Sequence, residues 1–402
     1  MPDTIRLPWL HDRHSHTSFY ASLIGCQSLS TLTPDEALAA MKALPEDQLS
    51  VVFGWHSARL PLTREGLRDL PPAIIVNVSM HGFVLSEPAV GRLEATQPDV
   101  AAHRDDPEWC ERNLPMLLEL FSRTAGLTPA KLDSFMERME VQGLGVVDDM
   151  LLPGEEAFQV IRQSRWAEHI QCWATPRTYR TLSPASQGAL AGLKLFTDGA
   201  LGSRTAALRG TFLDGREGLL LYTDEELASA LSDAAGCQKA IAIHAIGDLA
   251  IEQVVTTLER LDKAGIRFPK VRLEHVQFID EAQARRARDL GLVLSMQPNF
   301  NSDSRDYADR LEGRWLEINN PFRMLIDRVG FIPGKDLLLG SDGMPHGVEY
   351  ALQWCLFPAY PGQRLTLEEL VAGYGLSEFG KGESLLEIDA AEKRVRLLGS
   401  SC

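Results

Sequence analysis

Short apolar runs of strand length, most of them closing on a polar residue, recur along this chain and restrict the folds open to it. They fall at 143–149 (GLGVVDD), 170–175 (IQCWAT), 192–198 (GLKLFTD), 240–244 (AIAIH), Val271–His275 (VRLEH), 292–297 (LVLSMQ) and 336–342 (DLLLGSD). The amino-terminal IRLPWLHDRH makes an eighth. Helical segments lie between them. Asp248 is placed to cap a helix whose Ile251, Val254, Val255, Leu258 and Leu261 form one apolar face, and Asp280 to cap 282–290, with Gly291 as the stop. Strands alternating with helices predict an α/β chain folded as a (β/α)8 TIM-type barrel. An open dinucleotide-binding sheet is disfavoured, because no Gly-rich phosphate fingerprint follows the first strand.

Residues 17–142 are too many for an ordinary strand-to-helix connection. They carry strand candidates of their own at 51–55 and 73–78, and they read as a long insertion after strand 1, over the catalytic mouth. The expected organisation is a barrel over 1–376 containing that insertion, then a short appendage at 377–402 with a β-hairpin around 389–393.

At 402 residues with a net charge of −15, the chain has no general attraction for nucleic acid or an anionic membrane surface. The amino terminus has no basic start followed by a long apolar core, and no apolar run is long enough to cross a bilayer. The six cysteines are scattered without a CxxC pair, which favours reduced thiols and a cytoplasmic location.

Side chains at barrel-strand ends converge on the mouth. His14 and His16, two apart at the end of the first strand, face the same way and can grip one ion; Asp12 shares that facing, either orienting an imidazole or accepting backbone hydrogen bonds. His244 and His275 end consecutive strands, and Asp342 ends the last, where a turn cap is the plain alternative to metal binding with proton transfer. Lys194 lies inside an apolar strand, where an ammonium is costly unless it snorkels, pairs with a carboxylate, or reacts with carbon dioxide to give an anionic carbamate.

The order DxHxH, KLFTDGALGSRTAAL, HAIGD, EHVQ, SMQPNF, GSD resembles the amidohydrolase superfamily, and more narrowly the amidohydrolase-3 branch that includes N-substituted formamide deformylases. The segment from Lys194 to Leu208 is its most specific part, and the likeness runs from Asp12 to about Gly347. His81 in SMHGF and Gly54-Trp55 also match branch-typical positions. The resemblance implies that His14 and His16 bind one divalent ion and His244 and His275 a second, zinc before manganese or iron. A carbamylated Lys194 would bridge them, with Asp342 as ligand and base. It implies a catalytic contact of His81 with the substrate carbonyl and a contact of Arg204 with a substrate or loop carboxylate, and Trp55 is expected to offer an apolar wall to the substrate. It also implies a small β-sandwich from strands before the HxH and after the barrel; only about ten residues precede the motif here, so that sandwich is expected to be missing or vestigial.

These readings together predict a hydrolase acting on an amide-type C–N bond of a small molecule (an N-acyl or N-formyl amine, or a cyclic amide) by attack of a metal-bridging hydroxide. Self-association as a homo-oligomer is compatible with this. The rival readings are a single-ion, deaminase-like or esterase site, and a non-catalytic metal-binding barrel. No GxSxG elbow suggests a serine nucleophile.

Overall fold

The computed structural model describes residues 2–55, 60–77, 82–379 and 381–401. The chain divides into two compact units, Met1–Thr17 with Asp133–Cys402, and Ser18–Leu132.

The first unit is built on eight strands in sequential order, every neighbouring pair parallel: β1 (Leu10–Ser15), β2 (Leu144–Asp149), β3 (Ile170–Ala174), β4 (Gly192–Phe196), β5 (Ala240–Ala245), β6 (Val271–His275), β7 (Val293–Met296) and β8 (Leu337–Leu339). The ring closes just beyond β8, where the Asp342 N–H donates to the His14 carbonyl at 2.7 Å and the Ser341 N–H to Asp12 Oδ1 at 2.8 Å. Gly340 permits that approach, since a Cβ there would lie 2.3 Å from the His14 nitrogen. Gly192 does the same inside the barrel, where a Cβ would lie 2.2 Å from the Trp173 ring. Trp173, Met150 and Ala242 form a small buried cluster around it.

The amino-terminal run is two strands rather than one. Asp3–Pro8 belongs to a different sheet from β1, and Trp9 between them donates its N–H to the Gly382 carbonyl at 2.9 Å. Proline ends the first strand because it has no N–H for the ladder. Asp3–Pro8 pairs antiparallel with Glu383–Asp389, which pairs antiparallel with Arg394–Ser401. One three-stranded sheet therefore stands where a missing or vestigial sandwich is expected. In its hairpin turn, Asp389 Oδ1 accepts the N–H groups of Ala391 and Glu392 at 3.0 Å each. The outer edge of Arg394–Ser401 is met by the helix Val348–Leu356: Glu349 Oε2 accepts the Leu397 N–H at 2.6 Å, and Gln353 Oε1 accepts the Val395 N–H at 2.8 Å.

The expected helix ends are half right. Asp280 caps Glu281–Asp289 in a reciprocal box with Gln283, and Gly291 follows at φ 69°. Asp248 is not a cap. It is the first residue of Asp248–Lys263, behind Gly247, and its carboxylate accepts the Arg209 N–H at 2.8 Å instead.

The second unit holds a four-stranded sheet, Gln27–Ser28, Ser50–Trp55, Ala73–Asn77 and Phe83–Leu85, parallel except for its last pair. Alternate residues feed two cores: Val51, Ile74 and Val76 pack with Leu117, Leu120 and Phe121, while Val52, Ala73 and Ile75 pack with Ala37 and Met41. Burial on both faces is why these strands read as unbroken apolar runs. No helix among the described residues is long and apolar enough to cross a membrane.

Candidate metal centre

His14 is the fifth residue of β1, Lys194 the middle residue of β4, His244 the fifth of β5, His275 the last of β6, and Asp342 lies three residues past β8. His14, His275 and Asp342 each offer a ligand atom, all within 4.8 Å of one another. His14 Nε2 is 3.6 Å and His16 Nε2 2.9 Å from Asp342 Oδ1. The His275 ring centroid is 4.8 Å from that of His14 and 4.5 Å from that of His244. His244 Nε2 itself lies 3.1 Å from the Gly199 carbonyl, and its peptide oxygen accepts from Thr197 Oγ1 at 2.6 Å.

Strand alternation alone would turn His275 away from the side Glu274 occupies. His275 (φ 70°) and Val276 (φ 41°) instead adopt left-handed backbone, so two consecutive residues of β6 both serve the interior. Asp342 (φ 57°) shares that conformation. For side chains with a Cβ, and above all for β-branched Val276, this is strained backbone of the kind that gathers at functional sites.

Of the buried nitrogens without a hydrogen-bond partner among the described residues, three belong to the expected ligand residues: His14 Nε2, His16 Nδ1 and Lys194 Nζ. Orphaned donors and lone pairs inside a protein are costly, and their convergence beside a carboxylate fits a bound cation with its ligands. Burial, with the Lys194 charge nearby, pushes His14 down to about 4. Burial and the His244 and His14 rings also push His275 well below the usual imidazole range. Both imidazoles are thereby neutral at pH 7, as ligation requires. Burial lowers Lys194 to about 8, against the pull of Glu274 and Asp342. An amine must lose its proton before it can react with carbon dioxide, and this shift makes that accessible near neutral pH. Burial alone would raise Asp342, but the His14 and His16 imidazoles hold its carboxyl well below the usual range.

The remaining expected residues are dispersed. Asp12 takes its plainer role, accepting the His14 N–H at 3.1 Å and the Ser341 backbone and hydroxyl. Arg204 Nε lies 3.1 Å from Asp214 Oδ2, in a loop ion pair. Trp55 sits in the second unit, its indole N–H donating to the Leu60 carbonyl at 2.8 Å. His81 lies outside the described residues.

Two residues without a role in the sequence reading support the site. Glu274 Oε2 is 2.6 Å from His14 Nδ1, both groups fully buried. Asp198 accepts the N–H groups of Ala207, Ile246 and Gly247 at 2.8–3.0 Å, tying the loop after β4 to the residues following His244. The signal for Glu274 was legible: a glutamate beside a histidine in an apolar strand, two residues after an arginine. Its partner was not, because β1 and β6 lie 260 residues apart.

Comparison with known proteins agrees with this geometry. Residues 7–348 match the amidohydrolase family model Amidohydro_3. The chain is 37% identical over 122 residues to YtcJ of Bacillus subtilis (strain 168), and 35% identical over 161 residues to the protein LONG AFTER FAR-RED 3 of Arabidopsis thaliana. Those matches cover 30% and 38% of this chain but only 23% and 26% of the two relatives, about a quarter of each. In three dimensions it is similar to an uncharacterized metal-dependent hydrolase from Pyrococcus furiosus, with a TM-score of 0.68 and 21% identity over 92% of this chain and 81% of the other. One from Pyrococcus horikoshii follows at 0.64 and 21% identity, over 88% and 74%. At that identity the likeness speaks for the fold.

Proposed function

We propose that this chain, which belongs to the amidohydrolase family, is a metal-dependent hydrolase that cleaves an amide-type C–N bond in a small molecule. The observation that carries the reading is the cluster of His14, His275 and Asp342 at the barrel mouth, with His14 Nε2 and Lys194 Nζ buried beside it and unpartnered. His14 and His16 would hold one ion and His244 and His275 a second, with Asp342 as a further ligand and Lys194, as its carbamate, between them. When bound, such ions supply Lewis acidity, polarising a substrate carbonyl and acidifying water.

The chain's own residues do the rest. Neutral His14 and His275 present lone pairs, and the strained backbone at His275 and Asp342 holds their side chains on one centre. The Asp342 carboxylate, 3.6 Å from His14 Nε2, would take a proton from the attacking water and return it to the leaving amine. Arg204, Trp55 and His81 are carried as substrate contacts of this proposal, in a cytoplasmic enzyme whose substrate is an N-acyl or N-formyl amine or a cyclic amide.

A single ion on His14, His16, His244 and Asp342 is disfavoured by the turn of His244 Nε2 to the Gly199 carbonyl, whereas a single ion on His14, His275 and Asp342 is the second reading that the cluster supports. Elemental analysis of protein purified without chelator separates the two, at two zinc, manganese or iron ions per chain against one. Assay of that protein on amides, formamides, cyclic amides and esters tests the chemistry; turnover of esters alone overturns the C–N assignment, and absence of metal overturns the site.

A further inference from the structure

Beneath the three orphaned nitrogens runs a continuous line of buried charge. His14 Nδ1 lies 2.6 Å from Glu274 Oε2, and Glu274 Oε1 accepts from Arg272 Nε at 2.9 Å. Arg272 Nη1 donates to Asp148 Oδ2 at 2.6 Å, and Asp148 Oδ1 lies 2.7 Å from His11 Nε2. The other Arg272 nitrogen donates to the Arg13 carbonyl and to Ser295 Oγ. No member of the line is more than 5% exposed. Arg272 and Glu274 stand two apart on β6, so the period of the strand puts both on the barrel interior.

We propose that Glu274 is a positioning residue for the metal centre: it holds the proton of His14 on Nδ1, bares the Nε2 lone pair to the mouth, and is itself clamped by the Arg272–Asp148–His11 line. This rests on His14 being a metal ligand. An ionised carboxylate can only accept, so at 2.6 Å the His14 Nδ1 must carry the hydrogen. A neutral imidazole has one N–H, which leaves Nε2 as the lone pair, and Nε2 is the atom that has no hydrogen-bond partner and faces Asp342 Oδ1 at 3.6 Å. Arg272 Nε holds one Glu274 oxygen at 2.9 Å, while the other lies 2.6 Å from the imidazole and only 3.4 Å from Arg272 Nη2, so the shorter bond of each oxygen goes to a different partner. Glu274, Arg272 and Asp148 together carry one net negative charge beside the cation site, in surroundings that screen it poorly. An outer partner of this kind fixes the tautomer and the orientation of a ligating histidine.

Glu274→Gln tests this directly. A glutamine has one oxygen, which the Arg272 Nε–H claims, so its NH2 group faces His14 Nδ1 and drives the histidine proton to Nε2. Asp148→Asn breaks the same line one link further from His14. The full chain, stripped with chelator, is titrated with Zn²⁺ against a competing chelator, and its thermal midpoint is recorded in parallel. Glu274→Gln is expected to weaken zinc binding about 10- to 100-fold, with Asp148→Asn costing similar thermal stability but less than about 3-fold in zinc affinity. The visible spectrum of the Co²⁺-loaded protein should change in Glu274→Gln and not in Asp148→Asn. If Glu274→Gln does not fold, Glu274→Asp, which keeps the charge but draws the carboxylate back from His14 Nδ1, carries the same comparison, a loss of zinc affinity being expected and wild-type affinity overturning the role. Wild-type affinity and spectrum in Glu274→Gln, or equal losses in both variants, overturn the positioning role. Absence of zinc binding by the wild type overturns the metal reading itself, a separate result.

Discussion

Two levels of one barrel interior treat their polar groups in opposite ways. At the level of Arg272 the charged groups are matched: the guanidinium reaches Asp148, Glu274, Ser295 and the Arg13 carbonyl, and its face lies 4.9 Å from the Trp173 ring centroid. Around the candidate ligands, His14 Nε2, His16 Nδ1 and Lys194 Nζ are buried and bonded to nothing among the described residues. Burial is equally costly at both levels, so stability explains the lower one and cannot explain the upper. A protein keeps unmatched polar atoms together where something else is to complete them.

That contrast can be broken from either side. The largest effect is expected at the mouth. Asp342→Asn should lower turnover by three to four powers of ten while leaving the thermal midpoint close to that of the wild type; steady-state kinetics on a responsive amide and a melting curve check both. Retained turnover would mean that the unmatched level is not where the chemistry occurs.

Arg272→Met attacks the matched level. It strands Asp148 and Glu274 without their cation and should cost on the order of 3 kcal/mol in urea unfolding. Gly192→Ala crowds the apolar floor around Trp173, where the new methyl would stand 2.2 Å from the ring and 2.6 Å from the Ala240 carbonyl. A loss of about 1–3 kcal/mol is expected there, again by urea unfolding.

Asp303 is an intermediate case, a carboxyl with a bond from Gln277 Nε2 at 2.9 Å, pushed up by burial from 3.8 to about 7. The folded chain then keeps a proton that the unfolded chain has lost, so stability falls as pH rises from about 4 to about 7. Asp303→Asn should remove that slope, giving a variant more stable at pH 8 by up to about 4 kcal/mol and no more stable at pH 4. Unfolding curves at the two pH values give the difference.

The barrel was readable because a parallel strand writes itself as an apolar run and ends where its chain meets solvent or a ligand. That is how His14, His244, His275 and Asp342 could be singled out from one sequence, and Lys194 by standing as a cation inside such a run. What could not be read is set by ring closure. Nothing local pairs Glu274 with His14 or Arg272 with Asp148, since each pair joins strands brought together only by the curvature of the sheet. The same holds for Asp248, whose partner Arg209 arrives from a distant loop and takes the carboxylate away from capping. The left-handed pair His275-Val276 was equally hidden, because neither residue type announces that conformation.

The outer strand Arg394–Ser401 shows how this chain finishes a sheet. Open strand edges are templates on which other strands add. Here Glu349 and Gln353 have already occupied the outward amides of Leu397 and Val395, and the Gln353 amide donates to the Lys393 carbonyl at 2.8 Å. An incoming strand would have to displace two side chains before gaining its first bond, so the hairpin is guarded against runaway edge-to-edge polymerisation on that side without a proline or a lysine in the strand itself.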